Sequence, residues 1–265
     1  MLANYHTHTA RCKHAVGADE EYVEAAIAEG LTILGFSDHP PMPFRGGYES
    51  YYKMSMGELD GYVESVLSLR EKYKDKIRIH LGFETEFYPT MHARSLEVWR
   101  RYPVDYLILG QHFVGEEFDA VKDPAPRPSD DKRRVTKYVD LVISAMKTGL
   151  FSFIAHPDLI NYTGEDMEFY YREMGRLIDA AKAHGLPLEY NLLGMSGGRS
   201  YPRREFWEEV ARRGATAIIG CDAHEPWRVA KADELERARA FLDSLGICVV
   251  DEIELVSIGA SGTRK

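Results

Sequence analysis

Imidazole and carboxylate side chains recur at one place in this sequence, the end of a hydrophobic run. The runs cover residues 2–6, 33–38, 77–84, 104–112, 151–156, 186–191 and 216–222. The polar side chains at or just beyond their ends are His6, His8, Asp38, His39, Glu84, His112, His156, Asn191, Asp222 and His224. Apart from the asparagine, these are ligand types that suit zinc, iron and manganese. The recurrence predicts one multinuclear metal site.

Segments with helical spacing separate the hydrophobic runs. They cover residues 19–29, 55–73, 92–101, 130–148, 166–184, 202–213 and 229–245. Strands that alternate with helices are typical of successive βα units, whose strands run parallel. The carboxyl ends of parallel strands then meet at one face, where the following loops hold the functional side chains. The predicted metal site therefore lies at that face.

Three segments do not fit the alternation and are predicted to be long loops: residues 40–52, 114–128 and 192–201. They are rich in Gly, Pro or aromatic residues, and all three follow strand ends that carry proposed site residues. A parallel barrel places its substrate-binding loops there. We expect these loops to form the rim of the site.

The positions of the four remaining histidines divide them into one candidate ligand and three structural residues. His14 lies in a loop rather than at a strand end, but it is close to the His6-Thr7-His8 triplet and is therefore a candidate ligand. His80, His92 and His184 fall within a strand or at helix ends and are expected to be structural.

Alternation along a strand leaves open whether Glu84 or Glu86 points inward, and the expected strand end favours Glu84. Asp222 and His224 are two residues apart and, in an extended segment, project to the same side, as His6 and His8 do.

Length and composition are those of a globular enzyme with one domain over residues 1–265: 45% of residues are hydrophobic and 28% are charged. The net charge of −9 argues against a nucleic-acid partner, because the phosphate backbone attracts Lys and Arg. The N-terminus has no basic region followed by an apolar stretch, and no run approaches the roughly 20 residues of a membrane span.

Cys12, Cys221 and Cys248 form no CxxC pair and no even-numbered framework, which predicts a reducing compartment without disulfides. Together with the N-terminal pattern, this favours the cytoplasm. Cys12 and Cys221 neighbour proposed ligands, but as small, apolar, buried residues neither is assigned as a ligand.

Six motifs together resemble those of the polymerase and histidinol phosphatase (PHP) family, over essentially the entire chain. They are His6-Thr7-His8-Thr9, Ser37-Asp38-His39, Gly82-Phe83-Glu84, Gly110-Gln111-His112, Ala155-His156-Pro157 and Asp222-Ala223-His224. Within the family the chain is most similar to the stand-alone histidinol-phosphatase branch. The features shared with that branch are Gly35-Phe36-Ser37-Asp38-His39-Pro40, Met54-Ser55 leading into Glu58-Leu59, and Glu71-Lys72-Tyr73-Lys74.

The resemblance implies an α/β fold, a distorted TIM-like (β/α)7 barrel with three divalent metal ions at the carboxyl ends of the strands. Carried onto this chain, it assigns His6, His8, Glu84 and Asp222 to one metal, the bridging Glu84 with His112 and His156 to a second, and His14, His39 and His224 to the third. It assigns Asp38 to orienting a ligand or a water. The ligand set does not choose among zinc, iron and manganese.

Clustered divalent metals activate water and clamp phosphoryl oxygens, so in-line phosphomonoester hydrolysis is the expected reaction. Arg199, in the glycine-rich segment after the sixth strand, is the main candidate for a phosphate contact. Arg11 and Asn191 are further candidates for substrate binding. The group that protonates the leaving oxygen is left open among Asp38, a ligand histidine and a metal-bound water.

The expected function is that of a histidinol-phosphatase, which releases L-histidinol and phosphate in histidine biosynthesis. One alternative is a PHP-family phosphoesterase that acts on nucleotides, oligonucleotides or phosphopeptides, since the rim loops and not the metals select the substrate. A metal amidohydrolase also opens with an HxH pair, but it requires a bridging lysine on a middle strand, where this sequence has Glu84 and His112. A metal-retaining module without activity is the remaining alternative. The oligomeric state is not predicted.

Overall fold

The computed structural model describes residues 2–258 and contains seven parallel strands. They are β1 (Ala3–Asn4), β2 (Ile33–Phe36), β3 (Arg78–Thr85), β4 (Tyr106–Leu109), β5 (Phe153–Ile154), β6 (Leu188–Asn191) and β7 (Ala217–Gly220). Each strand pairs with the next one in the chain, so their spatial order is the order of the sequence. The predicted series of βα units is confirmed.

Eight α-helices accompany the strands within residues 2–258. They are α1 (Asp19–Ala28), α2 (Leu59–Lys72), α3 (His92–Trp99), α4 (Lys132–Met146), α5 (Met167–Ala183), α6 (Leu192–Ser196), α7 (Arg204–Arg213) and α8 (Ala232–Ser244). All except α6 correspond to predicted helices, with ends that differ by a few residues. The loops predicted at 40–52 and 114–128 contain no helix or strand of their own.

The prediction of an uninterrupted loop over residues 192–201 is wrong at its start. Helix α6 begins directly after β6 because Asn191 caps it: the Asn191 Oδ1 accepts a hydrogen bond from the Gly194 backbone N–H at 2.8 Å. The rest of the segment is irregular up to α7.

The buried apolar side chains form two clusters. Most buried apolar side chains lie in one large cluster that includes residues of the strands and of the surrounding helices. A smaller cluster joins side chains of five strands: Ala3, Tyr5, Ile33, Tyr106, Ile108, Phe153, Ala155 and Ile218. The chain after α8 packs Val250, Ile253 and Leu255 on this smaller cluster. A backbone hydrogen bond from Val250 N to the Ala217 carbonyl, at 2.8 Å, anchors this segment to β7.

The first and last strands meet just beyond their carboxyl ends, and we call this junction the seam. His8 N donates to the Ala223 carbonyl at 3.0 Å, and Ala223 N donates to the His6 carbonyl at 3.3 Å. Cys221 N donates to Asn4 Oδ1 at 3.0 Å, across a chain separation of 217 residues. The segments that close the barrel are therefore the same segments that carry the first and last proposed ligands.

No helix between residues 2 and 258 combines the length and the apolar character needed to cross a lipid bilayer.

Candidate metal centre

Glu84, near the end of β3, lies at the centre of the predicted ligand set and is buried. Its Oε2 is 3.3 Å from the Nε2 atoms of His6 and His8 and 3.4 Å from the Nδ1 of His39. Its Oε1 is 2.8 Å from the Nε2 of His156 and 3.4 Å from that of His112. The two oxygens thus face two separate groups of imidazoles, the arrangement that a bridging carboxylate requires.

Two glycines leave the space that buried carboxylates occupy. A Cβ on Gly110, just after β4, would overlap the carboxylate of Glu84. A Cβ on Gly220, at the end of β7, would overlap that of Glu189. The glycine of the Gly110-Gln111-His112 motif is therefore required by the side chain on the neighbouring strand.

Asp222 faces Glu84 from the far side of the first histidine pair. Its Oδ1 is 3.2 Å from His8 Nε2 and 3.5 Å from His6 Nε2. Asp222 has a φ of +48° and His156 a φ of +29°, which are unusual values for residues with a side chain. Backbone strain of this kind, of order 1–3 kcal/mol for a residue, persists at sites where the surroundings hold the side chain in place.

His14 and His224 direct two ring nitrogens at one another. His14 Nδ1 lies 2.7 Å from the Cys12 carbonyl, and His224 Nδ1 lies 3.0 Å from the Asp222 carbonyl. Each Nδ1 carries the proton that it donates to its carbonyl, so in the neutral rings each Nε2 carries a lone pair. The two Nε2 atoms are 2.9 Å apart. A cation that accepts both lone pairs removes the repulsion between them.

Other ring nitrogens of the cluster lack hydrogen bonds although they are buried. Among residues 2–258, His6 Nε2, His8 Nε2 and His39 Nδ1 are buried without a hydrogen-bond partner, which is costly for a polar atom. Three-residue groups whose ligand atoms lie within 4.8 Å of one another include His6 with His8 and Glu84, and His8 with His39 and His224. Nitrogen and oxygen donors of this kind fit divalent zinc, iron or manganese.

The neighbouring histidines keep Glu84 and Asp222 ionised. Burial alone would raise the pKa of Glu84, but the adjacent imidazoles of His6, His112 and His39 outweigh it and hold that pKa well below its usual range. Burial also opposes ionisation of Asp222, whose pKa is likewise held well below the usual range, chiefly by His6 and His8. Both carboxylates are therefore available as anionic ligands.

Glu189, on β6, is a site residue that the sequence reasoning missed. It is fully buried, and its Oε1 lies 2.7 Å from His6 Nδ1. Its Oε2 accepts from His156 N at 3.0 Å and from Asn191 Nδ2 at 2.9 Å. Glu189 therefore holds the proton on His6 Nδ1 and leaves the Nε2 lone pair facing Glu84 and Asp222. A single acid inside the apolar run 186–191 was the available signal.

Asp38 lies behind the second histidine of the first pair. Its Oδ1 is 3.4 Å from His8 Nδ1 and accepts from His39 N at 2.8 Å, while its Oδ2 accepts from the Thr9 hydroxyl. It does not line the cavity. This geometry fits an orienting role.

A cavity of about 830 Å³ opens over the cluster. Its walls include His14, His39, Glu84, His112, His156, Asp222 and His224. Arg199 lies in the wall and donates to the Tyr201 hydroxyl at 2.8 Å. Lys13, between Cys12 and His14, contributes a second cation that the sequence reasoning missed, and its Nζ donates to the Ser50 carbonyl at 2.6 Å. His80, His92 and His184 are not among the residues of the cavity wall.

The structure places two of the predicted substrate contacts outside the cavity wall. The guanidinium of Arg11 pairs with Asp19 at 2.8 and 3.0 Å. Asn191 is buried, and its Nδ2 donates to Asp222 Oδ2 at 3.1 Å. The contact that the structure gives Asn191 is therefore with a proposed ligand.

Cys12 and Glu86 have more specific surroundings than the sequence suggested. Cys12 is buried as expected, but its sulfur lies within 4.8 Å of ligand atoms of His14 and His224. Burial opposes ionisation of the thiol, but the adjacent side chains of His14, His224 and His8 outweigh it and lower its pKa to about 3. Glu86 is also buried, and its Oε1 lies 2.9 Å from His112 Nδ1.

Comparison with known proteins gives one family. The PHP domain model matches residues 4–192. A probable histidinol-phosphatase of Deinococcus radiodurans is 30% identical over 233 residues, which are 86% of this chain and 88% of that protein. The histidinol-phosphatase of Bacillus subtilis is 22% identical over 264 residues, with 88% of this chain and 97% of that protein covered.

A solved structure shares the fold. The crystal structure of histidinol phosphate phosphatase from Lactococcus lactis, complexed with zinc, L-histidinol and phosphate, superposes with a TM-score of 0.72 at 19% identity. The match covers 94% of this chain and 95% of the other. The fold is accordingly a distorted TIM-like barrel of seven strands, as predicted. Since the family model matches well over half of the sequence, this chain belongs to the PHP domain family.

Proposed function

We propose that this protein is a metal-dependent histidinol-phosphatase, which hydrolyses L-histidinol phosphate to L-histidinol and phosphate in histidine biosynthesis in the cytoplasm. The observation that carries the proposal is the carboxylate of Glu84, whose two oxygens face two groups of imidazoles beneath an open cavity. The Deinococcus radiodurans relative, 30% identical, supports this substrate. The Lactococcus lactis protein binds zinc, L-histidinol and phosphate on the same fold.

Three divalent metal ions would share nine side chains. His6, His8, Glu84 and Asp222 would hold one metal, Glu84 with His112 and His156 a second, and His14, His39 and His224 the third. The distances around Glu84 and the opposed lone pairs of His14 and His224 support this division. When bound, the metals would activate a water and stabilise the charge of the phosphoryl group.

The side chains around the cluster define what the chain itself contributes. Glu189 keeps the proton of His6 on Nδ1, and Asp38 faces the Nδ1 of His8. Arg199 would donate to phosphoryl oxygens from the cavity wall, and Lys13 would supply a second positive charge. Neither cation forms an ion pair within 4.0 Å in residues 2–258, so both can serve a bound anion.

The rest of the cavity suits a small organic ester. Its volume of about 830 Å³ is within the usual range for small-molecule sites. Tyr51, Phe113 and Tyr201 provide aromatic surface for an imidazole ring, and Glu225 provides a carboxylate for an ammonium group. This combination favours a cationic aromatic alcohol as the leaving group.

Phosphate release tests the proposal. The protein is loaded separately with zinc, manganese and iron and is supplied with L-histidinol phosphate, nucleoside monophosphates, a short oligonucleotide or a phosphotyrosine peptide. The Glu84→Gln variant serves as the control for activity that depends on the cluster. We expect L-histidinol phosphate to have the highest kcat/KM, and Glu84→Gln to lose both metal and activity.

Each other outcome is informative. Preference for another ester would reject the histidinol-phosphatase assignment and leave a phosphoesterase with a different substrate. Release of phosphate by none of the metal forms would reject the phosphatase proposal. Full activity and normal metal content in Glu84→Gln would reject the proposed cluster.

A further inference from the structure

Lys53 is a lysine buried at the rim of the metal centre. It lies near the end of the loop that connects β2 to α2, and it is 1% exposed. Its Nζ lies 2.9 and 2.7 Å from the two carboxylate oxygens of Glu86 and 2.7 Å from the Tyr52 hydroxyl. These contacts use all three N–H donors of an ammonium group. Burial of a charged lysine is rare and requires this degree of pairing.

Glu86 transmits this contact to the proposed metal ligand His112. Its Oε1 accepts the Nδ1 proton of His112 at 2.9 Å. With the proton on Nδ1, the Nε2 of His112 presents a lone pair, and this atom lies 3.4 Å from Glu84 Oε1. A carboxylate that orients a metal-bound histidine typically alters metal affinity or activity by 10- to 100-fold when it is replaced.

Lys53 fixes the carboxylate of Glu86 in place. Its Nζ donates to both oxygens of Glu86 at once, at 2.9 and 2.7 Å, and this fixes the direction in which Oε1 faces His112. A buried carboxylate requires such a cationic partner.

We propose that Lys53 is a positioning residue for the metal centre, which acts through Glu86 to orient His112. The inference rests on the metal centre of the proposed function, but not on the identity of the ester. Within residues 2–258 Lys53 forms no hydrogen bond with a residue of the ligand set, so its hydrogen-bonded link to that set runs through Glu86.

Glu117 offers a matched comparison within the same network. Its Oε2 lies 3.0 Å from the Tyr52 hydroxyl and 3.5 Å from Lys53 Nζ, and its Oε1 accepts from the Tyr48 hydroxyl at 3.0 Å. Like Glu86 it is a buried glutamate. It ties together the loops that follow β2 and β4, and within residues 2–258 it forms no hydrogen bond with His112. If the network only stabilised the fold, replacement of either glutamate would weaken zinc binding alike. A positioning role predicts that replacement of Glu86 weakens zinc binding and that replacement of Glu117 does not.

Zinc binding separates these possibilities. The zinc-loaded wild type and the Lys53→Met, Glu86→Gln and Glu117→Gln variants are titrated with a chelator, and the zinc retained is measured by mass spectrometry. Circular dichroism checks the fold. We expect Lys53→Met and Glu86→Gln to bind one of their zinc ions 10- to 100-fold more weakly than the wild type. Glu117→Gln should bind all of its zinc within threefold of the wild type.

A second variant protects the test against misfolding. Lys53→Met leaves Glu86 and Glu117 buried without a cation, whereas the double variant Lys53→Met/Glu117→Gln keeps the net charge of the wild-type network. We expect it to show the same weakened zinc ion. Wild-type zinc affinity in the folded double variant would overturn the inference, as would equal weakening in Lys53→Met and Glu117→Gln.

Different experimental results would refute the role of Lys53 and the proposed function. A wild-type protein that binds zinc but does not hydrolyse L-histidinol phosphate refutes the proposed substrate and leaves the comparison of zinc affinities valid. A wild-type protein that binds no zinc, manganese or iron refutes the metal centre, and the role of Lys53 with it.

Discussion

Replacement of Glu189 with Gln removes one of the two acceptor oxygens that hold His6 Nδ1 on one side and His156 N with Asn191 Nδ2 on the other. In the wild type one carboxylate oxygen accepts from His6 at 2.7 Å, and the other accepts from His156 N and Asn191 Nδ2. A glutamine has a single acceptor oxygen, so one of these two sets of donors must face an NH2 group. If the NH2 group faces His6, the imidazole must take its proton on Nε2, which is the atom that faces Glu84 and Asp222.

The expected size of the effect follows from this contact. Loss of the partner of a metal-bound histidine typically weakens metal binding or activity by 10- to 100-fold, or about 1.4–2.8 kcal/mol. Chelator titration of the zinc-loaded protein measures the affinity directly, and phosphate release measures the activity. Because the change keeps the shape of the side chain, the folded state should persist.

Glu209→Gln is the matched control. Glu209, on α7, is 2% exposed and pairs with Arg213 Nε at 2.6 Å and with Arg212, away from the cluster. This variant should keep its zinc affinity even if it loses some stability. If Glu189→Gln binds zinc as tightly as Glu209→Gln, Glu189 does not orient His6 in the way described.

The other predictions concern the cavity wall, the packing of Glu84 and a carboxylate outside the site. Arg199→Ala should raise KM for the phosphate ester by roughly 10- to 100-fold, which corresponds to the loss of a charge-assisted hydrogen bond, and should leave the zinc content unchanged. An unchanged KM in steady-state kinetics would show that Arg199 does not contact the phosphate. Gly110→Ala should lose zinc because its Cβ overlaps Glu84, whereas Gly61→Ala, where the added Cβ meets nothing within 4 Å, should keep it; equal zinc content in both would contradict this account. Asp105→Asn should lower the free energy of unfolding by about 1 kcal/mol at pH 7, since the amide oxygen can still accept from Leu81 N but the negative charge that faces Arg70 and His80 is lost. Burial opposes ionisation of Asp105, but the hydrogen bonds from His80 and Leu81 and the charge of Arg70 outweigh it and lower its pKa, so this contribution is present above about pH 3.9 and is lost as the pH falls through the folded pKa. Urea denaturation at a series of pH values should show the difference between wild type and variant shrinking toward acid, and a difference that grew instead would refute the assignment.

The sequence was sufficient to predict the barrel and to single out the nine proposed ligands because both depend on local patterns. Each βα unit combines a short apolar run with a helical period, and every proposed ligand except His14 lies at or just beyond the end of an apolar run. Glu84 could be preferred to Glu86 on this basis, although both prove to be buried.

The contacts around the ligands depend on side-chain directions that no local pattern encodes. Lys13, His156 and Asp222 have positive φ values, which redirect the chain within single residues. Such turns decide that Lys13 joins the cavity wall and that Arg11, two residues earlier, turns away to pair with Asp19.

Long-range pairs were missed for a related reason. Glu189 meets His6 across 183 residues of chain, and Lys53 meets Glu86 across 33 residues. One sequence contains no sign that such residues are partners. A lone acid in an apolar run and a lysine in an aromatic loop become interpretable only when the fold brings their partners together.

The seam has a consequence for the order in which the protein is made and folds. Its two sides come from opposite ends of the chain, and Asp222 and His224 are the last of the nine proposed ligands to leave the ribosome. Contacts of such long sequence separation form late, because closing the intervening chain costs entropy before any contact compensates for it. A growing chain therefore exposes an incomplete ligand set until Asp222 and His224 have been made. A full set of metals would require the closed barrel, and a chain truncated before Asp222 would lack these two ligands and the closure.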